Sequence, residues 1–473
     1  MKTQKPLGLV LFFTLPLPLL AQVNWKAPES IDLKKTKVST ASGQAVVVTA
    51  NPLASDAALQ ALKDGGTAMD AVVTAQTVLA VVEPQSSGLG GGSFLLYWDQ
   101  AKKSLHALDG RETAPAQVEE DMWLTSEGKA FPWLQATRSP ASIGVPGTTA
   151  LLWEGHRQFG RLPWRTNFKK SIHLAKDGFI PSPRFLRSIS LAKTLGINHS
   201  RAFRSLYLPN GSLPIQKIPF RNQELASTLS RLAKGGVNEF YRGEIANKLI
   251  NDLQQQQNKN EAVKTITYED LASYKVQKRN PICRKYKSWK VCSFPPPSGG
   301  GVAVLQALGT YELLSKKHWS KETVNSWHLL AESLRFADAD RSHWIGDPID
   351  WPVPIKGLLE DDYIKKKART IQINNATLRP LPGEPKGSKF LNLASQPRTA
   401  GGGTTHIVVV DIDGNVASYT SSVETVFGSR HLSGGMVLNN QLTDFSFVSS
   451  VSGKAIANRI GPNKRPMSSM SPV

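Results

Sequence analysis

A chain of 473 residues, 40% hydrophobic and 20% charged, can build a large core or two domains and does not belong to the disordered class. Its 57 Lys and Arg against 37 Asp and Glu give a net charge of +20. The basic residues are dispersed and no nucleic-acid motif accompanies them. The charge therefore reads as a solvated basic surface suited to an anionic envelope or anionic substrates, not as a nucleic-acid interface.

The chain opens with Met1-Lys2-Thr3-Gln4-Lys5, an apolar run from Leu7 to Leu20, and Ala21. Two lysines, a short apolar centre and a small residue at its end form a secretory leader, with cleavage expected after Ala21. The run contains Pro16 and Pro18 and is shorter than the ~20 residues a membrane span needs. The expectation is an exported protein, periplasmic or secreted, without a stable membrane span.

A Lys-rich polar stretch leads to a Val-rich strand over 45–50. Ser55 is placed as the cap of a helix through Leu62, which Gly65-Gly66 ends. Thr67 caps a second helix, apolar on most faces and therefore buried, which Glu83-Pro84 stops. Gly88-Leu89-Gly90-Gly91-Gly92 then precedes a strand over Ser93 to Trp98. A phosphate loop would need Lys and Ser or Thr at the start of a following helix, and neither is present, so nucleotide binding is excluded. Close backbone packing accounts for the glycines.

A further strand reaches Asp109-Gly110-Arg111. Helices follow over 148–158, 168–176, 222–232 and 243–254. Pro295 to Gly301 is a turn opening a helix near Val302 to Leu314, and another helix carries Trp327, Leu330, Leu334, Phe336 and Arg341 before Gly346-Asp347-Pro348. All of these read as scaffold. Cys283 and Cys292 form a disulfide, as an exported protein allows, or stay two buried thiols; the residues leave both open. With no Cys/His cluster elsewhere, no structural zinc site is expected.

From Pro380 to Gly403 the composition shifts to Gly, Pro, Ser and Lys, a linker. It ends in Gly401-Gly402-Gly403-Thr404-Thr405-His406, followed by the β-branched run Ile407 to Val410. Asp413-Gly414-Asn415 is a hairpin turn and Val416 to Ser421 the return strand. Taken alone, this is a loop entering a sheet.

Its surroundings change that reading. The stretch resembles the processing site of the γ-glutamyltranspeptidase family, in which the chain cuts itself before the first threonine of T-T-H. The resemblance extends to Gly88–Gly92, Asp109-Gly110-Arg111-Glu112-Thr113-Ala114-Pro115, Pro295-Pro296-Pro297-Ser298-Gly299-Gly300, Gly346-Asp347-Pro348, Leu438-Asn439-Asn440-Gln441 with Asp444-Phe445-Ser446, and Pro462-Asn463-Lys464-Arg465-Pro466-Met467-Ser468-Ser469-Met470-Ser471-Pro472. Each motif is weak alone; their order over nearly the whole chain is specific.

The resemblance implies an α/β (α+β) fold, the four-layer αββα sandwich of the N-terminal-nucleophile hydrolases. It implies a leader at 1–21, a heavy chain at 22–403 and a light chain starting at 404. Thr404 would be the nucleophile, with its own α-amine as base once the Gly403–Thr404 bond is cut. Ser422 stands where the family usually has a second, supporting threonine. Arg111 would bind the α-carboxylate of the γ-glutamyl group, helped by Ser468 and Ser469, since a planar guanidinium suits a carboxylate. Glu424, where many members have asparagine, would join Gln441 and Asp444 at the ammonium. Thr405 plays a supporting part and His406 reads as structural. The segment from Asp444 to Ser468 is short, which implies an open pocket. No metal or organic cofactor is implied.

The partners implied are glutathione and other γ-glutamyl compounds, amino-acid or dipeptide acceptors, and the two chains of one precursor. The family continues past the position of Val473 with more light chain, including a Gly-Gly oxyanion hole. The sequence therefore reads as an incomplete sandwich and a fragment of a longer protein. Two alternatives stand beside it: a glutaryl-cephalosporin-type acylase of the same fold, and a truncated, non-catalytic γ-glutamyl-binding relative.

Overall fold

The computed structural model describes residues 43–194, 200–256, 264–315, 323–389, 391–396 and 403–473. The leader at 1–21 and the linker glycines Gly401 and Gly402 lie outside the described residues.

Thirteen strands lie among the described residues, nine of which are β1 (Val46–Val48), β2 (Gly92–Asp99), β3 (Ser104–Gly110), β4 (Gln277–Arg279), β5 (Ile282–Tyr286), β6 (Trp289–Ser293), β7 (Leu393–Ala394), β8 (Gly403–Val410) and β9 (Val416–Glu424). Six of them form one antiparallel sheet in the order β1-β8-β9-β2-β3-β4. The hairpin β8–β9 lies beside the hairpin β2–β3, although 292 residues lie between Gly110 and Gly403. The expected turn closes β8 onto β9, with Gly414 at φ 81° and the Asp411 side chain accepting the N–H groups of Asp413 and Asn415.

Alternation along β8 sends Gly403, Thr405, Ile407 and Val409 to a buried face and leaves Thr404 and His406 on the other, exposed one. The buried face meets a helical layer. In it lie α1 (Pro52–Lys63), α2 (Ala68–Val82) and the helices Thr148–Phe159, Lys169–Asp177 and Gln223–Gly235. Every residue of α2 is buried, as its all-round apolar sequence predicts. Thr67 caps it in a reciprocal box with Asp70. The start of α1 differs from expectation. Asn51 is its cap, accepting the Leu53 N–H at 3.0 Å, with Pro52 in the first turn, and Ser55 lies inside the helix. Proline at that position needs no donor and presets φ, which moves the start upstream.

On the sheet's other face, Phe94, Leu96 and Ala107 pack against Phe294 and Met470, and the β5–β6 hairpin stands beside them. The Phe94 and Phe294 rings stack at 4.3 Å. Cys283 and Cys292 pair directly across that hairpin and form a disulfide. Beyond it lie the helices Gly299–Leu314 and Val324–Trp344. The remaining sheets among the described residues have two or three strands each, so the sandwich is built around one large sheet. No helix among the described residues is long and apolar enough to cross a membrane.

The last residues return to the centre. Ser468 donates its N–H to Pro297 O at 2.9 Å and accepts at its own carbonyl from Gly299 and Gly300. Arg465 donates to the Asp109 carboxylate at 2.8 Å, and its backbone N–H reaches Asp347 Oδ2 at 2.7 Å. The motifs at 109–111, 295–300, 346–348 and 462–472 thus meet around one point.

Candidate active site

Thr404 is the second residue of β8, at the edge of a register shift. Gly403 pairs with Glu424, but Thr404 pairs with Ser422, so β9 carries one extra residue, Val423. That bulge turns the Ser422 hydroxyl towards the junction. Ser422 Oγ donates to Gly403 O at 2.9 Å, accepts from Thr404 Oγ1 at 3.3 Å, and accepts from the Glu424 N–H at 2.9 Å. One hydroxyl therefore joins the expected nucleophile to the carbonyl oxygen of the bond before it. Gly91 makes this approach possible, because a Cβ there would stand 2.2 Å from Ser422 O. Thr405 turns inward, its hydroxyl buried and without a partner among the described residues. His406 bonds Thr420 Oγ1 at 2.8 Å through Nδ1, a structural contact.

Arg111 follows β3 and is fully buried. Its guanidinium donates to Asp444 Oδ2 at 2.5 Å, to Glu112 Oε2 at 3.2 Å, and to the carbonyls of Pro466 and Met467. The residue expected at the carboxylate end is thus ion-paired with one expected at the ammonium end. Gln441 and Asp444 occupy a short 3-10 turn, Gln441–Asp444. The Gln441 side-chain nitrogen is buried without a partner among the described residues. Glu424 is buried with φ 79°; its Oε2 accepts from Asn440 Nδ2 at 2.5 Å and its Oε1 has no partner among the described residues.

Burial drives the electrostatics here. It pushes the Glu424 carboxyl well above its ordinary range, and the Asp444 charge adds to the rise. Burial also raises Asp444, against the pull of Arg111. Glu112 is pushed up to about 7 by burial, again opposed by Arg111. Carboxyls held up in this way gain from a cation placed among them, because it favours their ionised forms.

The serine pair divides. Ser468 is buried, and its hydroxyl accepts the Met470 N–H at 3.1 Å. Ser469 is exposed and accepts from Arg341 Nη2 at 2.8 Å. Arg341, read from sequence as scaffold, therefore reaches the site, and its charge also lowers Asp444. Asn440 and Glu112 were not singled out either. Both stand inside motifs carrying the resemblance, and Glu112 adjoins Arg111, so position alone could have marked them. Among the described residues no group of three or more His, Cys, Asp or Glu could hold a metal ion.

The fold that carries this site is that of the N-terminal-nucleophile hydrolases. The family model for gamma-glutamyltranspeptidase matches residues 54–473, and the chain belongs to that family. It is 35% identical over 463 residues to the glutathione hydrolase proenzyme of Bacillus subtilis strain 168, covering 95% of this chain and 75% of that one. It is also 35% identical over 442 residues to the corresponding proenzyme of Escherichia coli K12, covering 91% and 72%. Among solved structures, the cephalosporin acylase from Bacillus halodurans superposes with a TM-score of 0.75 at 26% identity, covering 93% of this chain and 77% of that one. The gamma-glutamyltranspeptidase of Helicobacter pylori gives 0.67 at 30% identity, with 76% and 99% covered.

Proposed function

We propose that this chain is the exported precursor of a γ-glutamyltransferase and glutathione hydrolase that cuts itself between Gly403 and Thr404. Residues 22–403 then form the heavy chain, and Thr404 begins the light chain. The observation that carries this reading is the Ser422 hydroxyl, bonded to both Thr404 Oγ1 and Gly403 O. Thr404 Oγ attacks the Gly403 carbonyl carbon, the carbon–nitrogen bond breaks, and the proton passes to the Thr404 nitrogen. Water hydrolyses the resulting ester to a Gly403 carboxylate and a free threonine hydroxyl. The new α-amine, ordinarily near 7.7–8.0, is then the base beside that hydroxyl.

In turnover, Thr404 Oγ attacks the γ-amide of glutathione, the amine leaves with a proton, and a γ-glutamyl ester remains. Water or an amino-acid amine displaces it. Arg111, with Ser468 and Ser469, takes the substrate α-carboxylate, which competes with Asp444 and Glu112 for the guanidinium. Glu424, Gln441 and Asp444 take the ammonium. Donors at the carboxylate end and acceptors at the ammonium end favour an α-amino-acid substrate over a glutaryl group that lacks the amine.

Mass analysis of the purified wild type beside Thr404→Ala tests the reading. Two pieces meeting at Gly403–Thr404 in the wild type and one chain in the variant are expected, with the larger piece starting at Gln22. A single chain in both would remove the nucleophile. Comparable rates on glutathione and on a glutaryl amide would instead favour the acylase reading.

A further inference from the structure

The turn after α2 lies against the bond assigned to self-cleavage. A Cβ placed on Gly403 would stand 3.3 Å from Gln85 O and 3.7 Å from Ser86 Oγ. The same turn holds the segment that carries Glu424: Val423 donates its N–H to Ser86 O at 3.3 Å, and Phe427 donates to Gln85 O at 3.1 Å. Both partners of the junction, the start of β8 and the end of β9, therefore lie against residues 85 and 86.

That turn is tied down from outside. Glu83 is buried and accepts from Asn51 Nδ2 at 2.9 Å, from the Gln85 side chain, and from Arg184 Nη1 at 2.5 Å. Arg184 comes from the helix Pro183–Thr194, a hundred residues on, and its Nη2 donates to Ser86 Oγ at 3.0 Å. One planar guanidinium so binds a carboxylate and a hydroxyl of the same turn. A hydroxyl that accepts from Arg184 keeps its own proton pointed elsewhere.

We propose that Arg184 is a positioning residue for self-cleavage: paired with Glu83, it fixes the Ser86 hydroxyl against Gly403 and so holds the acyl side of the Gly403–Thr404 bond in line with the Thr404 hydroxyl. The proposal rests on the self-cleavage reading above. Among the described residues Arg184 makes no hydrogen bond or ion pair to Gly403, Thr404, Arg111, Glu424, Gln441 or Asp444, so it acts on maturation before it acts on turnover. The chemistry is the step already balanced: a Thr404 Oγ–Gly403 C bond forms and the Gly403 C–Thr404 N bond breaks.

The test follows cleavage of the full chain by mass over time for wild type, Arg184→Met, Arg184→Lys, Ser86→Ala and Thr404→Ala. Arg184→Met and Ser86→Ala are expected to slow cleavage by about tenfold or more, since small misplacement of reacting groups is amplified in rate. Arg184→Lys reaches one partner and rescues in part. Once cut, the Arg184 and Ser86 variants should keep kcat/KM for glutathione within about twofold of wild type. Ser86→Ala deletes only a hydroxyl, so it keeps the test open if an arginine variant fails to fold. Cleavage at the wild-type rate in Ser86→Ala and Arg184→Met overturns the proposal. So does a fall of cleavage and kcat/KM together, the mark of a merely structural role. A wild type as uncut as Thr404→Ala defeats the self-cleavage reading itself, and this proposal with it.

Discussion

In the proposed self-cleavage the Ser422 hydroxyl is the donor within reach of Gly403 O as that oxygen takes up negative charge. Loss of one such donor ordinarily slows the step by ~10²–10³. Ser422→Ala should therefore delay self-cleavage by about that factor in a mass time course, and Ser422→Thr should restore it. Unchanged cleavage in the alanine variant would leave Ser422 without its role. Glu112 sets a second test. Burial raises it to about 7, above its ordinary 4.5, so it is neutral below that pH and ionised above it. Ionised, it competes for Arg111; the KM for glutathione should rise roughly three- to tenfold as pH passes through about 7, an effect of about 1 kcal/mol. Glu112→Gln should flatten that limb, and an unaltered profile would exclude Glu112 as its source. Because the folded value is raised, this group's share of stability is full below about 4.5 and is lost as pH rises through about 7. At this scale the sequence was informative where a residue sat in a motif, as Thr404, Ser422 and Arg111 do. It was silent on Arg341 and Arg184, which lie on helices without a signature and matter only through contacts more than ninety residues away.

Elements were legible where a local rule governs them. Thr67 with Asp70 announces α2, and Asp413-Gly414-Asn415 announces the β8–β9 hairpin. The start of α1 was misplaced because Ser55 and Asn51 are both good caps, and Pro52 decides between them. The bulge at Val423 left no trace in the sequence, since it arises from how β8 and β9 pair. The glycine run shows how an element serves the site. A Cβ at Gly91 would meet Ser422 O at 2.2 Å, whereas one at Gly88 would meet nothing within 4 Å. Backbone faces backbone at Gly91, and neither side yields easily; overpacking of this kind costs about 1–3 kcal/mol. Gly91→Ala should lower the melting temperature and slow cleavage, while Gly88→Ala should do neither. Equal behaviour of the two variants would mean that the β2–β9 approach does not set the junction.

Across the whole molecule, the large sheet joins strands from both ends of the chain, β2 with β9 and β1 with β8, which no local pattern in either half announces. The fold class was reached through the ordered motifs, and their convergence on Asp109 and Ser298 gives the physical reason for that order. The helical layer has its own tie. Asp70 is fully buried and accepts from the Thr67 and Arg161 N–H groups at 2.9 and 2.8 Å, from Asn167 Nδ2 at 3.3 Å, and faces His156 Nε2 at 3.2 Å. Burial alone would raise this carboxyl, but the bonds from His156, Thr67, Arg161 and Asn167 outweigh it and hold it at about 2 instead of 3.8. A lowered folded value means stability that is present above about 3.8 and lost as pH falls through about 2. A shift of this size is worth about 2 kcal/mol. Asp70→Asn should therefore melt below wild type by a constant gap above about pH 4, and that gap should close towards pH 2. The other titrating groups are common to both proteins and largely cancel in the difference. A gap that stays constant from pH 5 to pH 2 would show that the Asp70 charge does not bind the helical layer together.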